Sequence, residues 1–156
     1  MRDGCTHLGL LAFLRPIFEK KPLMRFHTRK WIKPGDLNAN GTLFGGCLLA
    51  WITEEAALYS IIQLENNKIV LKYMSEINFI HPASKGDIVE IGIGVVRFGT
   101  SSITLRCEAR NKMSRDTIAT VDQLIFVNLD EAGKPAAHGK THVEYVRDRL
   151  EAKDQP

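Results

Sequence analysis

A chain of 156 residues, 44% of them hydrophobic, can bury one sizeable core but is too short for two domains. Its formal net charge of +3 is too mild to demand nucleic acid, though it is compatible with a ligand that carries phosphates. Three cysteines, Cys5, Cys47 and Cys107, without any C-x-x-C spacing, argue against a disulfide framework or a structural zinc site and for a reducing, cytoplasmic setting.

Residues 1–23 lack the patterning of the rest of the chain. LGLLAFL at 8–14 is an apolar run broken by Arg15 and Pro16, too short to span a membrane and without a small-residue cleavage site after it, so this stretch reads as a loosely attached extension. Organised pattern begins at Met24. MRFHTRKWIK alternates Phe26, Thr28, Lys30 and Ile32 against Arg25, His27, Arg29 and Trp31, the period of a first strand with one wet face. PGDLNANGT then concentrates turn chemistry ahead of a long apolar segment.

That segment, Gly45 to Leu64, contains no proline and is apolar almost all the way round, which predicts a central helix wrapped by the rest of the domain. Glu54 and Glu55 in its middle make a membrane span an unfavourable reading, because an unpaired buried charge costs several kcal/mol. At about 100° per residue, Gly46, Ala50, Thr53 and Ala57 fall on one narrow stripe. Two readings stay open: close packing of a strand or second subunit along the stripe, or a ligand lying against it within reach of Thr53 and Glu54. The Asn- and Gly-rich loop before the helix is suited to an electron-rich oxygen, since the first N–H groups of a helix have no partner inside it and Gly45 and Gly46 leave them uncovered.

Strand-like segments occupy 68–80, 88–98, 102–112 and 117–130, joined by connections too short for a parallel return. The expected fold is therefore α+β: one antiparallel sheet of about five strands curled around a single long helix. Residues 141–153 place Val143, Val146 and Leu150 on one side of a short surface helix. Three candidate groups have ordinary structural roles as their simpler reading: Cys47 in the first helical turn, His81 at a strand end before Pro82, and the His138/His142 pair, whose tail setting does not favour a metal.

KPGDLNANGTLFGGCLLAWITEEAA, KYMSEINFIHPASKGDIVEIGIGVVRFGTSSITLRCEAR and ATVDQLIFVNLDEAGKP together resemble the hotdog-fold acyl-CoA thioesterases of the short, single-hotdog bacterial type. The N-x-x-G loop, the FGG helix entry and the F-G-T-S-S turn carry the resemblance in combination, over roughly Met24 to Lys140. It implies a hotdog domain at 24–140 that hydrolyses acyl-CoA to fatty acid and coenzyme A. Coenzyme A is then part of the substrate, with no separate cofactor and no metal. It also implies a homodimer, or a trimer of dimers, with the site shared between subunits.

The family's catalytic asparagine falls on Asn38 and its helix-entry glycines on Gly45 and Gly46, the latter offering a backbone donor to the oxyanion. Its helix carboxylate falls on Thr53, a departure from the pattern; Glu54 is the adjacent acid, about 100° further round. Arg97, Gly99, Thr100 and Ser101 form a basic, amide-rich turn that corresponds to the one holding the phosphates of coenzyme A in the family, with an ordinary solvated hairpin as the other reading. A weakened acyl-CoA binding protein of the same fold is the alternative, and a hotdog dehydratase using His81 is a third reading.

Overall fold

The computed structural model describes residues 22–144. Its elements in chain order are β1 (Arg25–Trp31), a short 3-10 turn (Pro34–Asp36), α1 (Gly45–Leu64), β2 (Ile69–Met74), β3 (Ile77–Phe79), β4 (Ile88–Phe98), β5 (Ser102–Asn111) and β6 (Thr117–Asn128). The strands form one sheet in the order β1-β4-β5-β6-β2, with β3 also on β6. Every pairing is antiparallel, as the short connections require. This is the hotdog architecture, a long helix laid across a curled antiparallel sheet.

The segment expected to be one strand at 68–80 is two. At the break, Ser75 N donates to the Gln123 carbonyl (2.9 Å), but Gln123 N donates to the Ser75 hydroxyl (3.1 Å) instead of a carbonyl. A side-chain oxygen replaces a rung of the ladder, so β2 and β3 run along β6 on one path as separate strands.

Strand alternation builds the core. On β5, Ile103, Leu105, Cys107 and Ala109 are all fully buried, and on β6 Val121, Leu124 and Phe126 join them. α1 lays Leu48, Ile52, Ala56 and Tyr59 onto this surface, removing their apolar area from water at about 25 cal/mol per Å².

The helix departs from expectation in one respect: its own chain wraps only one side. Gly46, Ala50, Glu54, Leu58 and Ile62 face outward, with Leu58 51% and Ile62 52% exposed. The small-residue stripe borders this open face. Although α1 is long and apolar enough to cross a membrane, it is the core helix of the sheet. Its two carboxylates are not stranded either, because Lys30 Nζ meets Glu54 at 3.2 Å and the Thr28 hydroxyl donates to Glu55.

Those contacts arise from a second departure. A bulge between Phe26 and Thr28 breaks the alternation of β1, so Thr28 and Lys30 point to the helix while Phe26 turns to the outer face opposite Gly92. A Cβ on Gly92 would lie 2.8 Å from the Phe26 ring, so only glycine allows that approach. On the same outer face the Glu90 side chain, 2% exposed, receives Arg110 (3.0 Å), Lys112 (2.5 Å), Arg115 (3.3 Å) and Arg29 (3.9 Å).

At the margins, Pro22 and Met24 pack against Gly94, so the end of the supposed extension touches the sheet. Thr141 to Glu144 are not helical, and Glu144 N donates to the Gln63 side chain (3.1 Å). The remainder of the expected tail helix lies outside the described residues.

Burial raises the Glu90 carboxyl, but hydrogen bonds from Lys112 and Arg110 outweigh it and hold the group below the ordinary carboxylate range. A depressed folded value stabilises above the unfolded value, about 4.3, and that stability is lost as pH falls through the folded value. Glu90→Gln is expected to lower Tm by about 4 °C or more at pH 7, about 1–3 kcal/mol once the exposure of Arg29 and Arg115 is allowed for. Melting curves of both proteins should draw together only as pH falls beneath the ordinary carboxylate range and through the depressed folded value.

Candidate active site

The chain enters α1 through a loop tied down by its own polar groups. Asn38 is the hub: its Oδ1 accepts from Asn40 N (2.9 Å) and Thr42 N (3.2 Å), and its Nδ2 donates to the Thr42 hydroxyl (2.9 Å). Phe44 N donates to the Asp36 carbonyl (2.8 Å), which fixes the approach to the first helical turn. No side chain caps that end of α1, so the leading N–H groups are left to water or a ligand.

Against this helix end lies a cavity of about 330 Å³ whose lining includes Asn38, Gly45, Leu48, Phe79, His81 and Ile118. The Phe79 ring sits over Gly45, where a Cβ would come within 3.2 Å of it. Gly46 instead faces outward, under the Phe44 ring, which a Cβ there would strike at 2.6 Å. Asn38 and Gly45 thus come together, with one amide hydrogen of Asn38 Nδ2 uncommitted among the described contacts, while Gly46 borders the open helix face.

Thr53 and Glu54 stand apart from this cavity. Eight residues of helix separate Gly45 from Thr53, about 12 Å along the axis. α1 is helical without interruption over Gly45–Leu64, so Glu54 stands about 100° round the helix from Thr53. The Thr53 hydroxyl donates back to the Leu49 and Ala50 carbonyls, each at 3.0 Å, and Glu54 is engaged by Lys30. Cys47 is no activated thiol: burial raises it, and so does the Asp36 carboxylate that its Sγ–H approaches at 3.7 Å.

The β4–β5 turn is a tight one, Gly99 N donating to the Ser102 carbonyl (2.7 Å). Gly99 and Thr100 line a second cavity of about 400 Å³ together with Phe98, Gly139 and Lys140. Ser101 accepts from Asn128 N (2.8 Å) through its carbonyl, and Arg97 is exposed at a bulge outside the lining. Lys140 reaches Glu65 and Glu144, each at 2.8 Å, hydrogen bonds that raise its pKa. This cavity neighbours the C-terminal end of α1, the end opposite the first cavity on a helix about 30 Å long.

Sequence reasoning missed Phe79 and Lys140. Nothing in an apolar strand residue signals that it will lie on a glycine 34 positions earlier, and Lys140 acquires its neighbours only when residues 137–141 return over the β4–β5 turn.

The chain belongs to the thioesterase superfamily: the family profile of that description matches residues 40–118. Among individual relatives, the acyl-CoA thioester hydrolase YciA of Salmonella typhimurium is 31% identical over 108 residues, 65% of this chain and 80% of that protein. The solved acyl-CoA hydrolase of Staphylococcus aureus is 32% identical with a TM-score of 0.65, over 70% of this chain and 66% of that one. The hexameric thioesterase y2039 from Yersinia pestis reaches a TM-score of 0.69 at 28% identity, over 74% and 96%. The S. aureus enzyme has also been solved with an asparagine and, separately, an aspartate replaced by alanine. Those two positions are as far apart in its sequence as Asn38 and Thr53 are here.

The three bonds at the Asn38 side chain predict that Asn38→Ala loosens the loop locally. Amide hydrogen exchange at Asn40 and Thr42 should accelerate at least tenfold, with little change at β5 amides, which open only with the core.

Proposed function

We propose that this protein hydrolyses acyl-CoA thioesters, releasing a carboxylic acid and coenzyme A, with the thioester carbonyl seated in the cavity at the N-terminus of α1. The observation that carries the reading is the convergence of that uncapped helix end with Asn38 around one partly apolar cavity. As water attacks, negative charge grows on the carbonyl oxygen. Leading N–H groups of α1 near Gly45 and Gly46 stabilise it, each donor being worth about 3 kcal/mol. The remaining Nδ2–H of Asn38 orients the thioester or the water. The alkyl part of the substrate rests on Leu48, Phe79 and Ile118.

The working unit in this reading is an oligomer. The outward side of α1 carries Phe44, Leu58 and Ile62, and the β2 edge with its β3 continuation adds Val70, Tyr73, Phe79 and Ile80, all about half exposed. A second copy of this chain suits such a surface, and hexameric thioesterases stand among the structural neighbours. In this reading the two-fold axis lies perpendicular to α1 and runs two such helices antiparallel. It carries the Thr53/Glu54 face of each chain toward the Asn38 cavity of the other, and likewise the turn of Arg97, Gly99, Thr100 and Ser101, which meets the phosphates. Lys140 adds little there, because Glu65 and Glu144 already offset its charge. Free thiols at Cys47 and Cys107 accord with a cytoplasmic setting.

Two measurements test this. Release of coenzyme A thiol from short, medium and long acyl-CoAs should show turnover, with light scattering reporting a dimer or larger; binding without thiol release would favour the non-catalytic alternative. Thr53→Asp supplies a carboxylate where the open helix face meets the site, so kcat should rise tenfold or more. A change under threefold, below about 1 kcal/mol of barrier, would remove position 53 from the reaction.

A further inference from the structure

Hydrolysis needs a group that takes a proton from the attacking water, and neither helix candidate is well placed within this chain. The Thr53 hydroxyl is spent on the Leu49 and Ala50 carbonyls, and Glu54 lies on the exposed face, ion-paired with Lys30. The lining of the Asn38 cavity holds one titratable side chain among the described residues, His81.

The ring of His81 is held in a defined state. Its Nδ1 lies 2.8 Å from the Thr117 carbonyl oxygen. A carbonyl can only accept, so in the neutral imidazole Nδ1 carries the hydrogen and Nε2 keeps a free lone pair. The neighbouring backbone is anchored as well, Ile80 N donating to the Ile118 carbonyl at 2.8 Å. An imidazole oriented by a second group and opening onto the proposed thioester pocket has the makings of a general base.

We infer that His81 is a further catalytic residue of the thioesterase reaction, the general base that activates water in place of the carboxylate absent at position 53; this rests on the function proposed above. Water adds to the thioester carbon, forming the C–O bond as one of its protons passes to Nε2 and the carbonyl electron pair moves to the oxygen beside the helix N–H groups. Collapse of the adduct restores the C=O bond and breaks the C–S bond. The electron pair leaves with sulfur, the imidazolium returns its proton to the thiolate, and the carboxylic acid loses its own proton to solvent.

The test is thiol release from a medium-chain acyl-CoA by the full-length protein and two variants. His81→Asn places an amide nitrogen where Nδ1 was, keeping a donor for the Thr117 carbonyl while removing the base at Nε2. His81→Ala removes both and leaves room for added imidazole. If the inference holds, both variants lose about 100-fold or more in kcat, and millimolar imidazole restores His81→Ala by at least tenfold without affecting His81→Asn comparably. Wild-type kcat retained within threefold in His81→Asn would overturn it, as would failure of imidazole to rescue a correctly folded His81→Ala. A wild-type protein with no thiol release at all would instead bring down the underlying thioesterase reading, and this inference with it.

Discussion

A helix that is apolar nearly all round, laid on a sheet able to cover only one side of it, is the constraint on which the rest of this structure depends. The sheet takes Leu48, Ile52, Ala56 and Tyr59, and the bulge in β1 supplies Thr28 and Lys30 to Glu55 and Glu54. The outward remainder is small at Gly46 and Ala50 and large at Leu58 and Ile62. Small residues let another backbone come near, and large apolar ones reward it for doing so. The same half-burial leaves Thr53 accessible from outside its own chain.

The ends of that helix organise the two cavities. At the start, Asn38 spends most of its side-chain hydrogen-bonding capacity on its own loop, holding the entrance of α1 open while Phe79 closes over Gly45. At the other end, Lys140 and Glu144 bring the returning chain onto Glu65 and Gln63. A rigid helix of 20 residues keeps these ends about 30 Å apart, too far for one compact site.

Opposite the helix, the outer face of the sheet answers to charge. Glu90 sits nearly fully buried beneath four basic side chains, and Arg110 lies 3.5 Å over the Phe26 ring, which itself depends on the absence of a side chain at Gly92. Breaking that arrangement strands a buried carboxylate or several cations, so it anchors β1, β4 and the β5–β6 turn together.

The class of fold, the helix bounds at Gly45 and Leu64, the alternation of β5 and the placing of Asn38 and Gly45 at the helix entrance were all legible in the sequence, because each rests on local periodicity or turn chemistry within a few residues. The motif likewise exposed the departure at Thr53. Tertiary structure alone decided the face to which Phe26 turns, since one bulge reverses strand parity. It decided that a serine hydroxyl divides β2 from β3, that Lys30 holds Glu54 across 24 residues of sequence, and that His81 opens onto the Asn38 cavity with its Nδ1 fixed by Thr117. These are contacts between segments far apart in the chain, and their geometry depends on register and bulges. No local pattern encodes them.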